Sequence, residues 1–271
     1  MEISEECTAI VFYGVDLTTE AVGCVYDAVV GWYKALGHPP DKAAIRGPGH
    51  SGKFTSFEHA DSKIRRNGID GVTDFELYAL MENAKLVASD YLLAAVCSKK
   101  HSYMYVVARS SIAPLSGPAI LPLTKQMAGC RSPEYGIGYT RDHHLGPCTY
   151  AVGISEGLGL GGTGTPQREE ALRISFWMRA MGDRLWRQGV LRGIYPWNFL
   201  NTAQLGMPID GISLRQWIER DPHRGKLEPL NDGSFLWEIE VADLPSVRQV
   251  LQKAEIIFDW RKYYGQGHPE R

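Results

Sequence analysis

Phe75-Glu-Leu-Tyr-Ala-Leu-Met81, Tyr91-Leu-Leu-Ala-Ala-Val-Cys97 and Tyr103-Met-Tyr-Val-Val-Ala108 decide the fold class of this chain. Each is a short apolar run rich in β-branched and aromatic residues, the composition of a strand. Ser98-Lys-Lys-His-Ser102 joins the second run to the third. A link that short permits an antiparallel hairpin and is too short for the crossover that parallel pairing needs.

Working outward, Cys7 to Tyr13 reads as a further buried strand, with Asp16 placed to cap a helix after it. Val22, Val25, Tyr26, Val29, Trp32, Tyr33 and Leu36 recur at helical spacing before Gly37 and Pro39-Pro40 end the segment. Residues 38–72 hold few apolar anchors and read as loop or edge structure. Residues 110–135, with Pro114, Pro118, Pro122 and Pro133, read as a connection between two lobes or as one long surface loop.

Beyond them, Tyr135–Tyr139 and Cys148–Ile154 read as strands. Gln167 to Arg187 reads as a helix burying Leu172, Phe176, Met178, Met181 and Leu185. Ile212–Arg220 suits a short helix. Lys226–Leu230 and Phe235–Glu240 flank the turn Asn231-Asp-Gly-Ser234, Asp243 caps a helix through Lys253, and Glu255–Phe258 returns as a strand. Strands and helices without regular βα alternation indicate an α+β fold, mixed but largely antiparallel, with packed helices. It reads as one domain over 1–271, with an N-lobe at 1–115 and a C-lobe at 130–265 of similar size.

The chain has 271 residues, 44% of them hydrophobic, enough to bury a core without metal or disulfide staples. Its 29 basic and 31 acidic residues do not form the basic domain expected of a nucleic-acid binder. Residues 1–90 carry 14 acids against 8 bases. No apolar run reaches a membrane span, and the acidic start Met1-Glu-Ile-Ser-Glu-Glu6 is unlike a secretory leader. Cys7, Cys24, Cys97, Cys130 and Cys148 are odd in number and without C-x-x-C spacing. They read as reduced, buried thiols in a cytoplasmic protein.

Several stretches have chemistry-bearing residue types. Gly47-Pro-Gly-His-Ser-Gly-Lys53-Phe54 is one residue short of a P-loop: Phe54 stands where the magnesium-binding hydroxyl belongs, and no apolar strand precedes the loop. The glycine run Gly157 to Gly164 lies too late in the chain for a dinucleotide unit. Asp142-His143-His144 has metal-ligand types, but adjacent residues rarely converge on one ion and a polar turn explains them as well. No nucleophile elbow is present. These residues supply no catalytic set, cofactor site or metal site; the alternative they leave is a small nucleotide- or metal-dependent enzyme using Gly47–Lys53 or Asp142–His144.

Four stretches carry a family likeness: Pro133-Glu-Tyr-Gly136; Gly189-Val-Leu-Arg-Gly-Ile-Tyr-Pro-Trp-Asn-Phe-Leu-Asn201; Gly211-Ile-Ser-Leu-Arg-Gln-Trp-Ile218; and Gly225-Lys-Leu-Glu-Pro-Leu230 through Leu236-Trp237 to Val247-Arg-Gln-Val-Leu251. From Pro133 to Trp260 their order resembles the immunity protein 52 family of type VI secretion and polymorphic-toxin systems. The resemblance implies a cytoplasmic, non-enzymatic protein that binds a cognate toxin, an effector similar to a restriction-endonuclease-like nuclease, without touching nucleic acid or membrane. Tyr195, Pro196, Trp197, Phe199 and Trp237 are apolar enough to serve the core. A nuclease presents positive charge, so the acidic third of the chain is where contact is expected, at Asp61, Asp70, Asp74, Glu76 and Glu82. The aromatic content also permits a homodimer.

Overall fold

The computed structural model describes residues 5–87, 89–156, 165–231 and 233–265. The chain is α+β and divides into two compact units, Met1–Pro133 and Glu134–Arg271. The glycine run 157–164 lies outside the described residues. Among the described residues no helix is long and apolar enough to cross a membrane.

The first unit runs β1 (Glu6–Tyr13), α1 (Thr19–Ala35), β2 (Lys42–Gly47), β3 (His50–Ser56), α2 (Phe57–Asn67), β4 (Asp74–Leu80), β5 (Tyr91–Ser98), β6 (Tyr103–Arg109) and α3 (Ile120–Cys130). Its strands lie in the order β1-β6-β5-β4-β2-β3, and every neighbouring pair is antiparallel. The β5–β6 hairpin is the one that the short link dictates. On β4, period-two alternation buries Phe75, Leu77 and Ala79. Phe75 meets the Tyr26 ring of α1 edge-on at 5.4 Å, and the Tyr33 hydroxyl donates to the Leu77 carbonyl at 2.9 Å, so α1 covers this face.

Thr18 caps α1, accepting from Ala21 N; Asp16, the expected cap, instead pairs with Arg131 at 2.5 Å. Residues 38–72 form a hairpin and a helix rather than loop. The apolar positions Phe57, Ala60 and Ile64 make one stripe on α2, and Ser56 caps it. In residues 110–135 the prolines allow α3 because Pro122 falls in its first turn, where the missing N–H has no partner to lose. Cys24 and Cys130 form a disulfide, contrary to the expectation of five thiols. Their separation of 106 residues hid from the sequence a pair that α1 and α3 bring together.

The second unit runs β7 (Tyr135–Asp142), α4 (Pro147–Ala151), α5 (Pro166–Gly182), β8 (Trp197–Asn201), α6 (Thr202–Leu205), β9 (Pro208–Ile209), β10 (Ile212–Ser213), α7 (Leu214–Glu219), β11 (Lys226–Asn231), β12 (Ser234–Glu238), α8 (Leu244–Lys253) and α9 (Trp260–Tyr264). Its main sheet has the order β7-β8-β12-β11, antiparallel throughout, and β9 pairs with β10. Cys148 starts no strand: Gly146, at φ 58°, turns the chain and Pro147 opens α4. α5 buries Ala171, Ile174, Trp177 and Ala180, one position away from the expected face, and leaves Met178 48% exposed. Asp243 makes no cap bond and faces His223 at 3.4 Å; Glu255–Phe258 contributes one bridge, Leu191 to Ile257, instead of a strand.

Candidate functional site

The face of β4 turned away from α1 carries Asp74, Glu76 and Tyr78. Register sets Asp74 opposite Ser98 on β5 and Arg46 on β2, and Glu76 opposite Val96 and Ala44. The Ser98 hydroxyl donates to Asp74 Oδ1, and the Thr73 hydroxyl to Oδ2 at 2.7 Å. Arg46 Nη2 lies 3.7 Å from Glu76 Oε1, and the Tyr78 hydroxyl donates to Glu76 at 3.5 Å. Burial raises the Glu76 pKa above the usual carboxylate value, with Arg46 and Tyr78 opposing it. Burial, then the charges of Glu76 and Asp74, push the Tyr103 hydroxyl up to about 12.

Rings surround these carboxylates. Tyr78 meets Phe54 at 5.6 Å and Tyr91 at 6.1 Å, while His101, Tyr103 and Tyr105 stack in a ladder at 6.0 Å spacing. Phe54 is 46% exposed on the edge strand and the Glu76 side chain 26% exposed. Tyr78, Tyr91 and Tyr105 are buried, while Phe54, His101 and Tyr103 reach solvent, so the oriented, partly desolvated carboxylates can accept a partner's cation with Phe54 beside them to cover its apolar stem.

The structure gathers only part of the acidic set named from sequence. Asp74 and Glu76 share this face. Asp61 lies on α2, accepting from Tyr26 at 3.0 Å and paired with Arg65 at 3.3 Å. Asp70 is exposed in the turn before β4, and Glu82 is exposed in the loop beyond the opposite end of that strand. Tyr78, Tyr103 and Phe54 carried no charge signal; the alternation of 74, 76 and 78 along a strand was the clue to them.

In the second unit the Arg192–Leu200 run builds an interior polar network. Arg192 is 3% exposed, and its guanidinium donates to the carbonyls of Tyr150 at 2.6 Å and Ala151 at 3.3 Å, at the C-terminal end of α4. Its backbone N–H donates to the Tyr135 hydroxyl at 3.0 Å. Arg192 and Arg141 both lie over the Tyr150 ring, at 4.1 and 4.3 Å, and Tyr150 shares a 2.7 Å hydroxyl contact with Tyr195. Asn198 brackets Tyr195 by accepting from its N–H and donating to its carbonyl. The motif residues therefore hold this unit together.

Glu134 anchors the same network: its carboxylate accepts from Trp186 at 2.7 Å and from Arg187 Nε at 2.9 Å, and its carbonyl accepts from Asn201 at 2.8 Å. Reading the run for its aromatics alone missed Arg192, whose charge inside an otherwise apolar run was the available sign; Arg141 and Glu134 lie outside the run and carried none.

The other sequence candidates do not form sites of the kind their residue types suggested. Gly47–Lys53 is the tip and edge strand of the β2–β3 hairpin and leads into no helix at the position a P-loop requires. Asp142 uses its carboxylate to cap a short 3₁₀ turn, accepting from His144 N at 2.8 Å. Among the described residues no three His, Cys, Asp or Glu side chains group as metal ligands. A groove of about 670 Å3 between α5 and the 255–262 segment is crossed by the Arg261–Glu169 pair and lined by Lys262, which bonds Glu255 at 2.6 Å.

No family model matches the chain, and no curated protein matches it. None of the comparisons bears out the expected likeness to immunity protein 52. Among solved structures, the chain is similar to the T6SS protein PA0821 of Pseudomonas aeruginosa, with a TM-score of 0.55 and 11% identity over 92% of this chain and 72% of that one. At that identity the likeness is one of fold.

Proposed function

We propose that this chain is an immunity protein that binds a cognate type VI secretion effector and neutralises it by covering or locking its active site, with no turnover of its own. The observation that carries the reading is the fold likeness to a T6SS protein over 92% of the chain. The motif run Arg192–Leu200 supports it. The acidic-aromatic face of β4 supplies the contact: a basic segment of the effector meets Asp74 and Glu76, and Phe54 and Tyr103 pack its side chains. A stable complex of this kind buries roughly 800 Å2 on each partner.

The test is co-expression with the product of the neighbouring reading frame. Growth is expected to be restored, and the purified pair to elute as a stoichiometric complex. Asp74→Lys with Glu76→Lys should weaken binding at least about tenfold and slow association, mostly at low salt. Asp61→Lys, on the helical side, should leave affinity nearly unchanged. Absence of both protection and complex would reject the immunity role; equal loss in the two variants would reject this face.

A further inference from the structure

The disulfide joins two helices, and near that end α3 also buries Met127 and Ala128. Cys24 lies in the second turn of α1, and Cys130 is the last residue of α3, with 5.6 Å between their Cα atoms. α3 has no side-chain cap at its N-terminus, no acid in its first turn and no base in its last. Its start is tied to α1 by the Trp32 indole, which donates to the Ala119 carbonyl at 3.2 Å. Between these two ties a groove of about 390 Å3 stays open, lined by Ala28, Gly31, Ala35, Pro122 and Leu123. The exposed Arg131–Asp16 pair beside Cys130 adds little in water. The disulfide is the covalent restraint on the C-terminal end of α3, added to the burial of Met127 and Ala128.

We infer that the working form of this protein is the oxidised one and that it meets its partner in an oxidising compartment. Closing the bond removes two protons and two electrons from the Cys24 and Cys130 thiols. An oxidised dithiol catalyst takes them up as its own disulfide becomes two thiols. The glutathione and thioredoxin pools of a cytoplasm drive the exchange the other way. Cys7 and Cys97 are buried beyond the reach of an oxidant, and burial raises the Cys97 thiol pKa, so both stay inert where Cys24 and Cys130 oxidise. The inference rests on the immunity reading for the existence of a partner. It changes that partner's class: an effector working in the same compartment replaces one cutting nucleic acid in the cytoplasm.

The test is thiol trapping in the native host, by acid quenching and alkylation before lysis. Three of the five cysteines should label directly, and Cys24 and Cys130 only after reduction. Five labelled cysteines would overturn the inference. The purified oxidised chain should lose roughly 10 °C in Tm on reduction. Cys24→Ser with Cys130→Ser should melt near the reduced value and ignore reductant; an equal response to reductant in that variant would also count against the clasp. Wild-type reduction gives the same reading if the double variant does not fold. Protection is then compared with effector and chain directed together to either side of the inner membrane. Protection in the oxidising compartment supports the inference, and protection confined to the cytoplasm with reduced thiols overturns it. Failure on both sides removes the immunity reading and with it the partner clause, while labelling and melting still decide the clasp.

Discussion

The two units are built from the same kinds of element and are held in different ways. In the first, Ile10, Phe12, Leu77, Val106 and Val107 are buried on long, regularly paired strands beside a buried arginine, Arg109, which donates to the Tyr91 carbonyl at 3.0 Å, and the covering helices are linked by the disulfide. In the second, β8 has five residues and α6 has four, and the chain between Gly189 and Pro196 has little regular structure. Arg192, Asn198 and Gln204 are buried there. Apolar burial is non-directional and tolerates exchange of one aliphatic side chain for another of similar volume. A buried hydrogen-bond network is directional, and deleting one member leaves its partners desolvated and unpaired. The difference teaches where a single substitution should do most damage.

The largest effect is expected at Arg192. Arg192→Ala removes the guanidinium donors from the Tyr150 and Ala151 carbonyls and the cation over the Tyr150 ring, at a cost of about 3 kcal/mol. Arg192→Lys should recover only part of this, because one ammonium cannot reproduce the planar fork. Val107→Ile in the first unit, a change of one methylene, should cost less than either. Denaturant unfolding of the full chain checks all three. Similar losses at Arg192 and Val107 would erase the contrast between the units.

Glu134 ranks next. Burial raises its pKa, but hydrogen bonds from Arg187 and Trp186 and the charges of Arg187 and Arg184 more than offset this, leaving the value below that of an ordinary carboxylate. Its stabilising contribution is thus fully present above the unfolded value and is lost as pH falls through the lower folded value. Glu134→Gln should cost about 1–2 kcal/mol at pH 7 and progressively less in acid. Stability against pH for the two proteins should converge at the acidic end; parallel curves would show that the Arg187 pair contributes nothing.

The same contrast explains which features are legible in the sequence. β4, β5 and β6 are readable because alternating and continuous apolar runs are local properties, and so is the antiparallel pairing of β11 with β12. The α2 helix escaped because its buried stripe is only Phe57, Ala60 and Ile64 among charged residues. The misassigned strand at Cys148 shows propensity overridden by Gly146 and Pro147, which start a helix. Cys24–Cys130 and the Arg192 network join residues far apart in sequence, so no window of the chain contains them. Of the candidate surface, Asp74 and Glu76 were legible as charge, whereas their rings became neighbours only through the register of β3, β4, β5 and β6.

Glu76 carries the smallest effect on stability and the most discriminating one. Its folded pKa is raised, so between the ordinary value of 4.5 and the folded value the native state holds more proton than the unfolded chain. Stability therefore falls as pH rises through that window. Glu76→Gln should gain no more than about 1 kcal/mol at pH 7 and nothing below pH 4 or so. A purely structural carboxylate would stop there. If a partner's cation sits on this face, the same variant binds more weakly although it folds more stably, and wild-type affinity climbs with pH across the window in which Glu76 ionises. Melting and titration calorimetry on one pair of proteins read both signs; affinity that follows stability upward would remove Glu76 from the contact.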